Sequence, residues 1–249
     1  MIEIRIENYN EMVRYEPVMN ELRAIALWIT ENGPGLPRGM SASFSWQGDM
    51  FMLIKHYSRK FAEDIARVGS VEPPNVELLK NAMFTLRKIL GITDEDVAKA
   101  YEMQLYKGSG FWEMRRFLGQ FNDIAEELSE SPPDNIVTAG ISGCVVGEYL
   151  ALKLEKEKGL SIPVEHMVFA REGIMPSAGV LPVAFELKGP AILLVEDAVQ
   201  EARTLSVMMD TLKAVRGDTS FSLFALEIED SQAVNELLSG FSKIYTFEE

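Results

Sequence analysis

The stretch Ala191-Ile-Leu-Leu-Val-Glu-Asp-Ala-Val-Gln-Glu-Ala-Arg-Thr204 constrains this chain more than any other. An unbroken apolar run reads as a strand buried on both faces, and such strands belong to parallel sheets covered by helices on either side. The run ends in two adjacent carboxylates, Glu196 and Asp197, and an amphipathic helical pattern follows over 201–215. Packing does not call for acids at that point. In an open parallel sheet, ligands bind outside the carboxyl ends of the strands, so the pair is a candidate site. The other reading of the same residues is an acidic helix start that favours the macrodipole.

The residues around this stretch alternate between strand and helix patterns. Strands are predicted at 135–141, 164–169, 191–195, 219–226 and 242–246, and helices at 144–157, 201–215 and 231–238. That alternation favours a mostly parallel open sheet with helices on both faces, an α/β fold. The first half differs in texture. After an alternating Met1-Ile-Glu-Ile-Arg-Ile-Glu7 strand pattern, helical spacing recurs in Tyr15 to Thr30, Met50 to Val68, Glu77 to Leu90, Asp94 to Tyr106 and Trp112 to Ser129. Breakers separate these: a Gly/Pro loop at 32–39, a turn at Glu72-Pro-Pro-Asn75, and Ser131-Pro-Pro-Asp134 at the junction of the halves. Thr93 ahead of three acids is an expected N-cap. The expected organisation is a mainly helical region over 1–131 and an α/β domain over 132–249.

Composition narrows the function classes. With 24 basic against 38 acidic residues the formal charge is −14, which argues against a broad nucleic-acid surface. An anionic ligand must therefore meet local positive sites. The single cysteine, Cys144, rules out an intramolecular disulfide, and with only His56 and His166 the chain offers no zinc cluster pattern. No apolar run has the length of a membrane span, and acids stand near the N-terminus where a signal peptide carries positive charge. The expected location is the cytosol.

Three further stretches carry candidate chemistry. Asn135-Ile-Val-Thr-Ala-Gly-Ile-Ser-Gly143 reads as a strand entering a small-residue turn before a helix, so Gly140, Ile141, Ser142 and Gly143 either cradle an anion or simply make the turn. Val164-Glu-His-Met-Val-Phe-Ala-Arg171 ends a strand on a cation, either a phosphate contact or a solvated charge. Residues 172–187 are rich in Gly, Pro, Ser and Ala, the texture of a loop that closes over a ligand.

In this order the four stretches resemble the phosphoribosyltransferase family of type I. The resemblance covers roughly residues 134–226. It implies an open sheet of the phosphoribosyltransferase type and a phosphorylated ribose or nucleotide as ligand. Glu196 and Asp197 would lie at the reacting ribose and its magnesium, as catalytic and metal-holding groups. Gly140 to Gly143 would take the diphosphate, with Arg171 beside it, and Arg203 with Thr204 the 5′-phosphate. Residues 172–187 would be the family's flap. The phosphate loop departs from the family's Thr-Gly pattern, because the chain reads Gln200-Glu-Ala-Arg-Thr204. Gln200 stands where some members carry a catalytic Asp, Glu201 would repel phosphate, and Ala202 replaces a glycine that permits close backbone approach. Two functions follow. One is transfer of phosphoribosyl between pyrophosphate and a nitrogenous base. The other is a non-catalytic regulatory or partner-binding protein that keeps the fold, its helical half serving as a partner or homo-oligomer surface.

Other residues have plainer readings. Cys144 is expected as a small apolar residue at a helix start, although such a position can activate a thiol. His56 is expected as a half-buried packing residue. Phe111, Trp112, Phe117 and Phe121 recur at helical spacing and are expected in the core.

Overall fold

A computed structural model of the chain describes residues 18, 21–22, 24–26, 28, 43–69, 71–102, 118–140, 142–172, 175–182, 185–199 and 202–247. Of residues 43–49, 100–102, 142, 170–172 and 175–178 it describes the backbone alone. The expected strand at Met1 to Glu7, the loop at 32–39 and three of the aromatics, Phe111, Trp112 and Phe117, lie outside the described residues. The chain divides into two compact units, Met1–Gly108 and Ser109–Glu249.

In the first unit, helix α1 runs Ser43–Val68, α2 Pro73–Leu90 and α3 Asp94–Glu102. Helix α2 begins at the proline pair itself, where the sequence suggested a turn, because a proline in the first helical turn loses no intrahelical hydrogen bond. It ends on Gly91 at φ +68, a left-handed cap. Met50, Ile54, Tyr57, Phe61 and Ile65 of α1 and Val76, Leu79, Met83 and Leu86 of α2 are buried at helical spacing. Asp64 is buried, and it accepts from Asn75 Nδ2 at 2.5 Å and from the Glu72 N–H at 3.1 Å, so the end of α1 caps the start of α2. Thr93 caps α3 as expected: the Asp96 N–H donates to its Oγ1 at 3.1 Å while Asp96 Oδ2 accepts from the Thr93 N–H at 2.9 Å.

The second unit is an α/β sandwich. Helix α4 is Phe121–Glu130, and then come β1 Asn135–Ala139, α5 Ser142–Lys158, β2 Val164–Glu172, β3 Met175–Val180, β4 Ala191–Val199, α6 Ala202–Val215, β5 Ser220–Ile228, α7 Gln232–Leu238 and β6 Lys243–Tyr245. One six-stranded sheet has the order β3-β2-β1-β4-β5-β6, and only β3 runs antiparallel. The mostly parallel open sheet is the one the alternation predicts.

Four differences have physical reasons. The break between units falls at Gly108, ahead of α4, whereas the proline pair at 132–133 separates α4 from β1. Helix α4 starts at Phe121 because a turn through Gly119 precedes it. Strand β3 occupies part of the expected flap, stitched to β2 across a bulge at Ala170/Arg171. Strand β4 continues four residues beyond the expected end, since Ala198 and Val199 pair with Glu227 and Ile228 of a longer β5.

The α6 face of the sheet buries Val137, Met167, Ile192, Leu194, Leu223, Leu205, Met208 and Leu212 in one cluster. On the opposite face Phe121 is fully buried, its ring 5.0 Å from Tyr149 of α5, 5.5 Å from Phe224 of β5 and 5.2 Å from Phe247, each pair edge to face. Among the described residues no helix is long and apolar enough to cross a membrane. Truncating Phe121 removes the ring that joins α4 to this face. Phe121→Ala is expected to lower the stability of the second unit by about 3–5 kcal/mol in urea unfolding, and a loss below about 1 kcal/mol would contradict this packing.

Candidate functional site at the carboxyl edge of the sheet

Chain order makes the crevice between β1 and β4. From β1 the chain crosses through α5 to β2 on one side, and from β4 it crosses through α6 to β5 on the other. These opposed connections leave a topological switch point at the carboxyl ends of the two strands, where open α/β sheets bind ligands.

Two glycines shape the β1 side. Gly140 takes φ +52, a left-handed conformation that a side chain would strain, and its N–H donates to the Met167 carbonyl at 2.8 Å. Gly143 lies in the first turn of α5, where a Cβ would come 2.7 Å from the Val195 carbonyl oxygen and 3.5 Å from the Glu196 Cα. Its missing side chain lets the helix start rest directly on the backbone of β4. One turn on, a Cβ on Gly147 would run into Thr138 Cγ2. Gly140 and Gly143 are thus required by backbone geometry, and Gly143 brings the amino end of α5 to the β4 backbone at Val195 and Glu196.

Glu196 and Asp197 lie on a central strand at its carboxyl end, past the last residue of β4 that pairs with β1, Val195. Both are buried, at 8% exposure each. The ladder to β5 runs without a register shift, so successive side chains leave the strand on opposite faces. The two carboxylates therefore do not converge on one point. Among the described residues no three His, Cys, Asp or Glu side chains group to hold a metal.

The remaining predicted residues divide. Arg203 and Thr204 fall in the first turn of α6, Arg203 exposed and Thr204 half-buried, and not in a loop. Only residues 200–201 join β4 to α6, so the phosphate loop that the resemblance puts at 200–204 is shortened to two residues, and the helix begins within one residue of the expected 201. Ser142 starts α5 and Arg171 follows the β2 bulge; their side chains, and Ile141, Gln200 and Glu201 altogether, lie outside the described residues. His56, expected to be half-buried, is exposed, its ring edge-on to Tyr57 at 5.0 Å.

Beneath the β1–α5 turn sits a polar cluster that the sequence reading left apart. Thr138 Oγ1 is 2.8 Å from His166 Nδ1 and 3.3 Å from Cys144 Sγ, and the thiol donates to the Gly140 carbonyl. His166 Nε2 is 3.4 Å from Glu148 Oε1, an ion-pair contact longer than a good hydrogen bond. All four residues are buried, none more than 3% exposed. The signal was present: a histidine inside an apolar strand, and a glutamate inside the apolar Cys144-Val-Val-Gly-Glu-Tyr-Leu150 run of α5.

No protein-family model matches the chain, and no curated protein does. Among solved structures it is similar to a purine phosphoribosyltransferase from Pyrococcus horikoshii Ot3, with 20% identity, 58% of this chain and 87% of that chain covered, and a TM-score of 0.40. It is also similar to a Helicobacter pylori xanthine-guanine-hypoxanthine phosphoribosyltransferase, at 14% identity, 53% and 83% coverage and a TM-score of 0.38. A third is the L. donovani hypoxanthine-guanine phosphoribosyltransferase, at 19% identity, 56% and 82% coverage and a TM-score of 0.37. Fold does not carry activity with it, and at these identities no residue inherits a role.

Burial, the largest influence on His166, lowers its affinity for a proton, but Cys144 in its ionised form, in which it no longer donates to Gly140, and the Glu148 carboxylate outweigh it and push the ring up to about 10. The folded value exceeds the ordinary 6.5, so the stability contributed by the protonated ring is full below pH 6.5 and is lost as pH rises through about 10. Wild-type stability in urea should therefore fall across that window by more than that of His166→Gln. Parallel pH profiles for the two proteins would show that the ring is not held protonated.

Proposed function

We propose that the α/β unit binds a phosphorylated ribose or nucleotide at the carboxyl edge of β1 and β4. One observation carries this reading: at the switch point, Gly143 rests the amino end of a 17-residue helix on the β4 backbone at Val195 and Glu196, where that strand carries two buried carboxylates, one on each face. The two ends are chemically complementary to such a ligand. Ribose hydroxyls donate charge-assisted hydrogen bonds to a carboxylate. A diphosphate accepts from N–H groups of the turn and the first turn of α5. The amides of the first turn of α6, with Arg203 and Thr204, stand where a 5′-phosphate would sit. Magnesium would be held by Asp197 or Glu196 and would neutralise part of the diphosphate charge.

If the unit also performs transfer, the ribose C1′ exchanges its bond to a diphosphate oxygen for one to a base nitrogen. Positive charge develops on the ribose in that step, and a carboxylate in a dry crevice stabilises it. The second reading is a ligand-binding or partner-binding protein without transfer. A specific feature favours it: β4 runs on to Val199 and α6 begins at Ala202, which leaves two residues where a 5′-phosphate loop would be built. The exposed Leu78 and Ile89, three turns apart on one face of α2, suit a partner surface in the first unit.

Calorimetry with phosphoribosyl pyrophosphate and magnesium tests the first reading. Binding is expected, weakened tenfold or more, about 1.4 kcal/mol, by Asp197→Asn or by Glu196→Gln. If the wild type binds no phosphorylated ribose or nucleotide, the site assignment fails. Binding without pyrophosphate release in the presence of purine or pyrimidine bases would select the non-catalytic reading.

A further inference from the structure

We infer that His166 and Cys144 are positioning residues for the β1–α5 turn: Glu148, His166, Thr138 and Cys144 form a buried polar chain that ends on the Gly140 carbonyl and holds the turn in its ligand-binding form. The effect on ligand rests on the proposed binding site, whereas the hold on the turn does not.

The chain links three elements. Glu148 of α5 contacts His166 of β2 at 3.4 Å, His166 meets Thr138 of β1 at 2.8 Å, and Thr138 meets Cys144 of α5 at 3.3 Å. The Cys144 thiol then donates to the Gly140 carbonyl. Gly140 needs such a hold. Glycine passes between left- and right-handed conformations at little cost, so its own backbone does not keep φ at +52. Both polar groups of this residue are instead tied down, the N–H to the Met167 carbonyl at 2.8 Å and the carbonyl by the thiol. Met167 follows His166 directly on β2, so the strand that holds the Gly140 N–H also carries the histidine of the chain.

Packing alone would not select these residues. Burying four polar side chains costs more than burying apolar ones of the same shape unless each finds a partner, and even a partnered ionic pair rarely stabilises more than a hydrophobic replacement. What such a chain supplies is direction: each hydrogen bond fixes where the next atom must lie. The thiol acts here as a donor to a backbone carbonyl. It is buried, and its contacts are with Thr138 and the Gly140 carbonyl.

The test reads the turn and the ligand separately. Cys144→Ala removes the donor to Gly140, Cys144→Ser keeps one, and His166→Gln keeps a hydrogen-bonding group but no charge for Glu148. Amide exchange is followed at Gly140 and, as reference, at Leu193 and Leu194 in the middle of β4. Exchange at Gly140 should quicken about tenfold in Cys144→Ala and His166→Gln, the loss of roughly one net hydrogen bond. It should stay near wild type in Cys144→Ser, with the reference amides unchanged. Affinity for phosphoribosyl pyrophosphate with magnesium should fall in the first two variants and be retained by the serine. Unchanged exchange at Gly140 overturns the inference, and so does equal acceleration at Gly140 and at the reference amides, which would make these residues mere core filling. Should Cys144→Ala fail to fold, Glu148→Gln must quicken Gly140 in the same selective way or the inference fails. A wild type that binds no phosphorylated ribose, together with selective acceleration at Gly140, confirms the hold on the turn and sinks the binding site.

Discussion

The backbone-to-backbone approach of α5 to β4 is the constraint on which the second unit depends. A helix ordinarily stands off a sheet by the thickness of the side chains between them. Here Gly143 removes one of those side chains opposite Val195, and Gly147 removes another opposite Thr138. The helix start is drawn down to the sheet at the point where β1 has ended and β4 continues. Its first turn is thereby brought to the β4 backbone at Val195 and Glu196. The same contact serves the acids without any ligand, since a carboxylate near a helix amino end gains from the macrodipole. The two readings of the acidic pair, structural and functional, therefore share one geometry, and a ligand that offers hydroxyls to acids and oxyanions to amides would use both parts of it.

The added length of β4 alters what the rest of that edge can do. A loop that wraps a phosphate needs several residues free of secondary structure so that consecutive N–H groups point inward. Pairing Ala198 and Val199 with Glu227 and Ile228 engages those backbone groups in the sheet, and Val199 joins the apolar cluster beneath α6. What remains for a phosphate is the first turn of α6. Strand extension thus favours the stability of the β4–β5 ladder over a dedicated phosphate cradle.

Much of this was legible in the residues, and what was not has identifiable causes. The apolar run into Glu196 and Asp197, and the strand-turn-helix over 135–157, followed from local pattern, because buried parallel strands need no partner to be recognised as apolar. Strand β3 was hidden. Its Met175-Pro-Ser-Ala-Gly-Val180 sequence has weak strand propensity, and it is strand through antiparallel pairing with β2 and through Gly179, where a Cβ would meet Thr211 Oγ1 of α6 at 2.7 Å. Helix α2 began earlier than predicted because proline breaks a helix interior but suits its first turn. Cys144 and His166 stand far apart in the chain, and only the adjacency of β1 to β2 in the sheet brings their side chains to one another through Thr138. Such nearness comes from strand order and register, which one sequence read locally does not contain.

The net charge sharpens what the crevice must accomplish. A formal charge of −14 repels an anion approaching from solution, although salt confines that repulsion to about 8–10 Å around each exposed charge. Within that distance the local donors decide. The amino end of α5 and the first turn of α6 present fixed partial positive charge that side-chain titration does not remove, and such dipoles gain strength where water is excluded. The acids beside them would otherwise cancel this attraction. They cease to do so when the ligand brings hydroxyls, or a cation already bound to its diphosphate, to the carboxylates. In the proposed site an anion arriving alone would gain little, whereas a phosphorylated sugar carrying both kinds of group would meet the amides and the acids together.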